Sequence, residues 1–241
     1  MTNSTLRFRN INPALSFRNE GYASFLGEGI EIGAFHQPAP IPASCNVKYC
    51  DAVTKEQAAG FFPEVDPTFF VDVDYILDLN TQALSQFPDE TFNFVVFNHV
   101  IEHIANPIKI VNELFRVLKK NGKVAISVPD KDYTSDKNRN LTPYSHLIEE
   151  YYDDVTEVTD EHYIDYLRGC HPHLLNLSAA DIAIHVQNVK NRKEHAHVWN
   201  SETFEEFLKI TFAIHKIKAR LIFKSVSKDN KFEYFSVWEK L

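Results

Sequence analysis

The chain has 241 residues, of which 44% are hydrophobic and 13% aromatic, and its formal net charge is −8 with a pI of about 5.8. This length and apolar content are enough for one large domain, while the negative charge argues against a broad nucleic-acid-binding surface. The three cysteines lack metal-site spacing, and the sequence shows neither a signal peptide nor an apolar run of membrane-spanning length. We therefore expect reduced thiols and a cytoplasmic protein without membrane insertion.

The first predicted strand ends in a glycine turn, in the sequence Glu28-Gly-Ile-Glu-Ile-Gly-Ala-Phe-His-Gln-Pro38. Gly33 can adopt a backbone conformation, and allow a close ligand approach, that a side chain would prevent. Alternating prolines from Pro38 to Pro42 exclude a helix directly after the turn. Four aromatic residues of the preceding segment are expected to cover the sheet or a ligand pocket: Phe8, Phe17, Tyr22 and Phe25.

Acidic and polar residues follow the next two predicted strands. The second strand is Asn46 to Cys50, and Asp51 at its end could accept both hydroxyls of a ribose. The third strand is predicted over Phe69 to Val73. The polar turn Asp78-Leu79-Asn80 follows it and could contact an adenine edge.

A strand, a helix and another strand then follow in order. Phe92 to Phe97 is apolar and of strand length, and it leads into Asn98 and His99. Asn106-Pro107 is typical of a helix start, and the apolar spacing predicts a helix that continues through Lys120. Gly122 to Val128 forms the fifth strand. This order predicts a parallel crossover, with the C-terminal ends of the strands facing the ligand.

Residues 130–200 are too long for a plain connection, and we expect an inserted lid or acceptor-binding segment within a single domain of residues 1–241. A helix is predicted near Tyr144 to Tyr152. After the insertion, an amphipathic helix is predicted over Ser201 to Phe212. The strands His215 to Lys224 and Lys231 to Trp238 are predicted to form an antiparallel pair around the turn 227–230.

This ordered series resembles class I S-adenosylmethionine-dependent methyltransferases over most of the chain. The resemblance implies an α/β, Rossmann-like fold with a mostly parallel seven-stranded sheet, a C-terminal antiparallel hairpin and S-adenosyl-L-methionine as cofactor. The cofactor-binding residues that it implies are Glu31, Gly33, Ala34, Phe35, His36, Asp51, Asp78, Leu79, Asn80, Asn98 and His99. Phe35 replaces the second glycine of the family's turn, so we expect another loop path, closed by His36.

A narrower resemblance comes from four segments: Glu31 to Pro38, Pro129 to Asp136, Arg139 to His146 and His195 to Trp199. These segments are similar to stand-alone bacterial methyltransferases associated with surface-polysaccharide biosynthesis. The resemblance implies a small-molecule or sugar-linked acceptor. The sequence does not predict the acceptor's identity or the oligomeric state.

Methylation of an alcohol requires a residue that removes its proton. His99, Asp130 and His195 are the candidate bases, and the candidate substrate-binding residues are Tyr133, Asp136, Arg139, His146 and His197. His99 fits a packing or cofactor-binding role equally well, and acids beside an arginine are often a structural ion pair. The pair His195 and His197 permits metal binding, but without a clear third ligand we expect no metal.

The sequence leaves three alternatives. A nitrogen acceptor would need orientation more than a base. Phe35 could fill the cofactor site and leave a methyltransferase-like binding subunit without catalysis. A nicotinamide oxidoreductase is disfavoured, because the Gly-x-Gly-x-x-Gly pattern fails after Gly33 and Pro38 interrupts the expected helix.

Overall fold

A computed structural model describes residues 12–241, so the expectation for Phe8 lies outside the described residues. Its centre is a seven-stranded sheet in the order β3-β2-β1-β4-β5-β7-β6. All neighbouring strands run parallel except β7, which is antiparallel to both β5 and β6. The predicted fold is confirmed. The strands are β1 (Glu28–Ile32), β2 (Asn46–Asp51), β3 (Tyr75–Ile76), β4 (Phe92–Asn98), β5 (Leu118–Pro129), β6 (Ala219–Ser225) and β7 (Glu233–Lys240).

Helices cover both faces of this sheet. They are α1 (Asn19–Tyr22), α2 (Lys55–Phe61), α3 (Leu79–Gln82), α4 (Pro107–Val117), α5 (Tyr144–Tyr152), α6 (Asp160–Cys170), α7 (Ala179–Asn191), α8 (Ser201–Ile214) and α9 (Ser227–Asn230). Short 3-10 helices connect them at Pro13–Arg18, Pro67–Phe69, Ile101–His103, Lys131–Tyr133, Ser135–Asn138 and Pro172–Asn176. Among residues 12–241, no helix is long and apolar enough to cross a membrane.

The central strand β4 is apolar because it is covered on both faces. Phe94, Val95, Val96 and Phe97 are fully buried. Val95 and Phe97 belong to the larger core cluster under α4 and α8, whereas Phe94 and Val96 join the cluster that holds Tyr22 and Phe25 on the other face. Successive side chains of a strand point to opposite faces of the sheet, so a central strand that is covered on both faces buries alternate residues in two different cores.

The third strand was predicted in the wrong place. Asp66 caps a 3-10 turn at Pro67–Phe69, with its Oδ1 accepting from the Thr68 amide at 2.9 Å. Phe70 is buried because its ring packs on Phe35, not because it lies in the sheet. The observed β3 has only two residues, which pair with the end of β2.

The helix α4 is shorter at its C-terminal end than the sequence predicts, since it does not continue through Lys120. The helix ends at Val117, and Leu118 is already extended as the first residue of β5, where it pairs with Phe92 of β4. The turn signal of Asn121-Gly122 lies inside β5 at a register shift, where Asn121 has φ +63°. Burial of Leu118 in the sheet core outweighs the helical pattern of the lysines that follow it.

The C-terminal pair is antiparallel as predicted, but β6 begins at Ala219 instead of His215, and residues 227–230 form the single helical turn α9.

The two ends of the inserted segment, residues 130–200, lie next to each other. Asp130 forms a parallel bridge with Trp199, and the Lys131 amide donates to the Trp199 carbonyl at 2.9 Å. Helices α5, α6 and α7 lie between these points, and α6 and α7 share a separate apolar cluster.

Candidate active site

A cavity of about 340 Å³ opens at the C-terminal ends of the parallel strands. Residues that follow β1, β2, β3 and β4 meet there, and the insertion closes the opposite side. The strand-end residues are Gly33, Asp51, Asp78, Asn80 and His99, and the residues from the end of the insertion are Arg192, Lys193 and Glu194. Parallel sheets of this kind bind ligands at this edge.

The turn after β1 needs its glycine for two reasons. Gly33 has φ +70°, and a Cβ there would lie 2.5 Å from Val100 Cγ2. Phe35 also has positive φ, +51°, so the chain keeps the left-handed path that a second glycine would suit. Its ring packs edge-on against Phe62 and Phe70, at centroid distances of 4.6 and 4.7 Å, and forms one wall of the open cavity.

Three predicted cofactor-binding residues of this turn support the loop without lining the cavity. Glu31 is buried, and its oxygens accept from the Ala39 amide at 2.8 and 3.1 Å. Burial raises the pKa of Glu31 to about 8. Ala34 is buried in the turn, and His36, which was expected to close the loop, hydrogen-bonds Gln37 beside the Phe70 ring and does not line the cavity.

The polar residues on the β2 and β3 side are fixed by short-range hydrogen bonds. Asp51 Oδ1 accepts from the Ala52 amide at 2.7 Å, and burial raises the pKa of Asp51. Asp78 caps α3 by accepting from the Asn80 amide at 2.9 Å, while Asn80 Oδ1 accepts from the Ala105 amide at 2.9 Å. Leu79, between them, also lines the cavity.

Comparison with known proteins identifies the family. The family model described as "Methyltransferase domain" matches residues 49–211, which is more than half of the chain. The chain belongs to this family.

The fold of this chain recurs among solved structures. It resembles a SAM-dependent methyltransferase from Aquifex aeolicus at 13% identity, covering 100% of this chain and 94% of that one with a TM-score of 0.49. A Rhodobacter sphaeroides protein described as a Zn-dependent alcohol dehydrogenase gives 12% identity, coverage of 98% and 92%, and a TM-score of 0.53, which shows a shared fold alone.

A sequence relative is an uncharacterized protein of Methanocaldococcus jannaschii, 46% identical over 46 residues. The match covers 19% of this chain and 22% of that relative.

The sequence resemblance implies S-adenosylmethionine as the cofactor, and the residues that line the pocket are compatible with it. The acid at the tip of β2 suits a ribose, and Gly33, which packs closely against Val100, exposes its backbone to the cavity without a side chain. Asn98 donates its Nδ2–H to Tyr22 Oη at 2.7 Å, and its buried Oδ1 has no hydrogen-bond partner within the described chain. Asn98 does not line the cavity, whereas the next residue, His99, does.

His99 is the one predicted base that lines the cavity. Its Nε2 lies 2.5 Å from Glu233 Oε2, and its Nδ1 lies 3.7 Å from Glu102 Oε1. Glu233 is buried and is also bound by the Arg18 guanidinium, whose Nε donates to Oε1 at 2.6 Å. Burial alone would raise the pKa of Glu233, but Arg18 and His99 lower it, so this carboxylate is ionised beside the imidazole.

Asp130 occupies a structural position outside the cavity lining, contrary to its predicted catalytic role. Its carboxylate is buried and accepts from the Ser201 amide at 2.7 Å and from the hydroxyls of Ser201 and Ser227 at 2.9 and 2.6 Å. These bonds fasten α8 and α9 to the end of β5. The order of the strands predicts that Asp130 lies at the rim of the sheet, but it does not predict where the Asp130 side chain points.

His195 lies one ring away from the cavity, behind His103. Its Nδ1 lies 2.6 Å from Asp136 Oδ2. Burial alone would lower the pKa of His195, but the hydrogen bond with Asp136 and the charge of Glu102 raise it. His103 does line the cavity, and burial together with the neighbouring His195 lowers its pKa to about 3, so its ring is neutral.

The remaining predicted substrate residues are held in internal contacts. Arg139 is buried and donates to Asp136, Asp165 and the carbonyls of His195 and Ala196. This network joins the start and the end of the insertion, so Arg139 and Asp136 are structural where the sequence predicts substrate contact. Tyr133 is partly exposed beside Lys231, and His146 and His197 meet away from the cavity.

Several site residues were not singled out from the sequence. Arg18 and Glu233 are 215 positions apart, and Arg192, Lys193 and Glu194 come from the far end of the insertion. Glu102 is fully buried, neither oxygen of its side-chain carboxyl is hydrogen-bonded in the described part of the chain, and burial raises its pKa. No local sequence pattern indicates these residues, because they come together at the site only after the chain has folded.

Proposed function

We propose that the protein is an O-methyltransferase that transfers the methyl group of S-adenosylmethionine to a hydroxyl of a sugar or sugar-linked small molecule. The contact of His99 with the ionised Glu233, at the cavity wall, carries the proposal. The sugar class and a place in surface-polysaccharide biosynthesis rest on the sequence resemblance of Glu31–Pro38, Pro129–Asp136, Arg139–His146 and His195–Trp199.

The cofactor supplies an activated methyl carbon for in-line displacement. Gly33, Asp51 and Asn80 would hold it, and His99 would take the proton of the acceptor hydroxyl. With Nε2–H donated to Glu233, the Nδ1 lone pair of His99 is the basic position. The Glu233 carboxylate, held in turn by Arg18, stabilises the imidazolium that forms.

The backbone of His99 supports this role. Its φ is +52°, which is uncommon for a residue with a Cβ and is found at sites whose surroundings hold the residue in place. Its ring stacks on Phe232 at a centroid distance of 5.1 Å. The imidazole is thereby oriented before an acceptor arrives.

The insertion supplies the acceptor side in this proposal. Arg192 donates to Glu64 Oε1 at 2.9 Å and to the Phe61 carbonyl at 3.2 Å, and its guanidinium lies 4.4 Å from the centre of the Phe62 ring. Lys193 Nζ lies 3.4 Å from Asp78 Oδ2. These contacts bring the end of the insertion over the cavity, as an acceptor-binding lid requires.

The test is methyl transfer to a panel of hydroxylated and amine acceptors, including free sugars and sugar nucleotides. His99→Gln is expected to lower kcat on the hydroxyl acceptor by about 10²–10⁴-fold while the Kd for S-adenosylhomocysteine stays close to wild type. His173→Gln, on an exposed insertion histidine, is the matched control. Transfer to amines only, with kcat unaffected by His99→Gln, would instead support N-methylation through orientation alone.

A further inference from the structure

A second cluster of chemically active side chains lies within the insertion. It contains His146 and Glu150 from α5, His162 from α6, and His197 from the segment before α8. One ring nitrogen or carboxylate oxygen of each residue lies within 4.8 Å of those of all the others. None of the four lines the cofactor cavity or takes part in the proposed methyl transfer.

The distances within this cluster match the spacing of ligands around one small ion. His146 Nε2 lies 3.0 Å from His162 Nε2 and 3.1 Å from Glu150 Oε1, and His162 Nε2 lies 3.3 Å from the same oxygen. The fourth ligand atom would be Nδ1 of His197, a residue whose Nε2 lies 3.5 Å from Glu150 Oε2. In a tetrahedral zinc site with bonds of about 2.0–2.1 Å, neighbouring ligand atoms are about 3.3–3.4 Å apart.

The other ring nitrogens are arranged as in metal-binding histidines. His162 Nδ1 lies 3.1 Å from Thr159 Oγ1, and donation to that hydroxyl leaves the Nε2 lone pair directed into the cluster. His197 donates its Nε2–H to the Ile104 carbonyl at 2.9 Å, which leaves a lone pair on its buried Nδ1. Such outer hydrogen bonds fix the tautomer and orientation of ligating imidazoles.

Unpartnered buried atoms point to an occupant. Glu150 is 7% exposed, and its Oε2 has no hydrogen-bond partner in the described part of the chain. The same holds for Nδ1 of His197, a residue that is 1% exposed. Buried polar atoms are nearly always partnered, by protein, water or an ion.

We propose that His146, Glu150, His162 and His197 bind one Zn²⁺. Imidazole nitrogens with a carboxylate oxygen form a ligand set that zinc accepts, and four protein ligands make a closed, structural site. The ion would join α5, α6 and the 195–199 segment. Among the described residues, no other cluster of possible metal ligands contains residues from all three. It would also stabilise the cavity wall, because Ile104 lines the cavity and accepts from His197.

The sequence predicts no metal, because His195 and His197 have no clear third ligand nearby in the chain. The fold resolves this by using only His197 and adding three residues from two helices. His146 and Glu150 are four apart and therefore share one helix face. His195 turns instead toward Asp136 and His103.

The test begins with the full-length chain stripped by a chelator and titrated with Zn²⁺ alone, against a competing chromophoric chelator. We expect one equivalent bound tightly, with a rise in Tm. His162→Ala and Glu150→Gln are expected to weaken binding at least about 100-fold. His185→Ala, an insertion histidine outside the cluster, should bind as wild type does.

X-ray absorption of zinc-loaded wild type tests the same site without any variant. Three imidazole nitrogens and one oxygen are expected around the zinc. Absence of stoichiometric binding by the wild type would overturn the proposal, as would a shell with fewer than three imidazoles. Unchanged affinity in both cluster variants, with loss in His103→Ala, would move the metal to Glu102, His103 and His195 and equally overturn it.

Discussion

Replacing Gly33 by alanine should damage the cofactor-binding turn by two separable effects. The residue has φ +70°, a conformation that costs a residue with a Cβ about 1–2 kcal/mol. The new Cβ would also lie 2.5 Å from Val100 Cγ2, and overpacking of this kind costs about 1–3 kcal/mol. Gly33→Ala is therefore expected to lower the free energy of unfolding by about 2–5 kcal/mol.

The Val100→Ala background separates these effects. It removes the clashing Cγ2 and leaves only the Val100 Cβ, 3.8 Å from the new methyl group, which is an ordinary contact. In a double-mutant cycle followed by urea denaturation, the two changes should couple favourably by about 1–3 kcal/mol. Binding of S-adenosylhomocysteine should weaken in Gly33→Ala and recover in part in the double variant. Strict additivity in both measurements would refute the predicted contact between Gly33 and Val100.

Three further variants test the site electrostatics. Asp51→Asn should weaken S-adenosylhomocysteine binding by about 10–100-fold, because a charged hydrogen-bond acceptor is lost, and calorimetry showing wild-type affinity would contradict this. Arg18→Met leaves the buried Glu233 without its cation and should cost about 3–5 kcal/mol in urea denaturation; a loss below about 1 kcal/mol would contradict burial of this pair. Folding raises the pKa of Glu31 from about 4.5 to about 8. Between these pH values the unfolded chain has released the proton while the folded chain still holds it. The wild type should therefore lose up to about 5 kcal/mol of its free energy of unfolding as the pH rises from about 4.5 to about 8. Glu31→Gln, which can still accept from Ala39, should remove that part of the pH dependence, and parallel curves for the two proteins would show that the carboxyl is not protonated in the fold.

The fold could be predicted because its signals are local. Alternating or continuous apolar residues define β1, β2 and β4, and Asn106-Pro107 marks the start of α4 through an Asn106 Oδ1 bond to the Lys109 amide at 3.1 Å. The order of these elements fixes a common edge, which is why Gly33, Asp51, Asn80 and His99 were expected near one ligand. All four line the same cavity.

Other features depend on contacts that the sequence does not display. Phe69 to Val73 has strand-like composition, but Phe70 is buried by rings from other elements. Asp130 is at the predicted rim, yet the hydroxyls of Ser201 and Ser227 determine its direction. The partner of His99 is Glu233, 134 positions away.

The histidines of the insertion show the same limit. Seven of them fall between positions 146 and 197, and their spacing does not separate those that meet from those that do not. Only the packing of α5 and α6 against the 195–199 segment brings His146, His162 and His197 to one carboxylate. The spacing of His195 and His197 only permits a pair of ligands, and the structure turns His195 toward Asp136 instead.

The central claim is that the cavity at the ends of β1, β2 and β4 binds the methyl donor. Calorimetric titration of the wild-type protein with S-adenosylhomocysteine tests it most directly, since this product keeps the ribose, the adenine and the amino-acid end of the cofactor. We predict saturable binding at a single site. Absence of any binding at high micromolar ligand would contradict the claim.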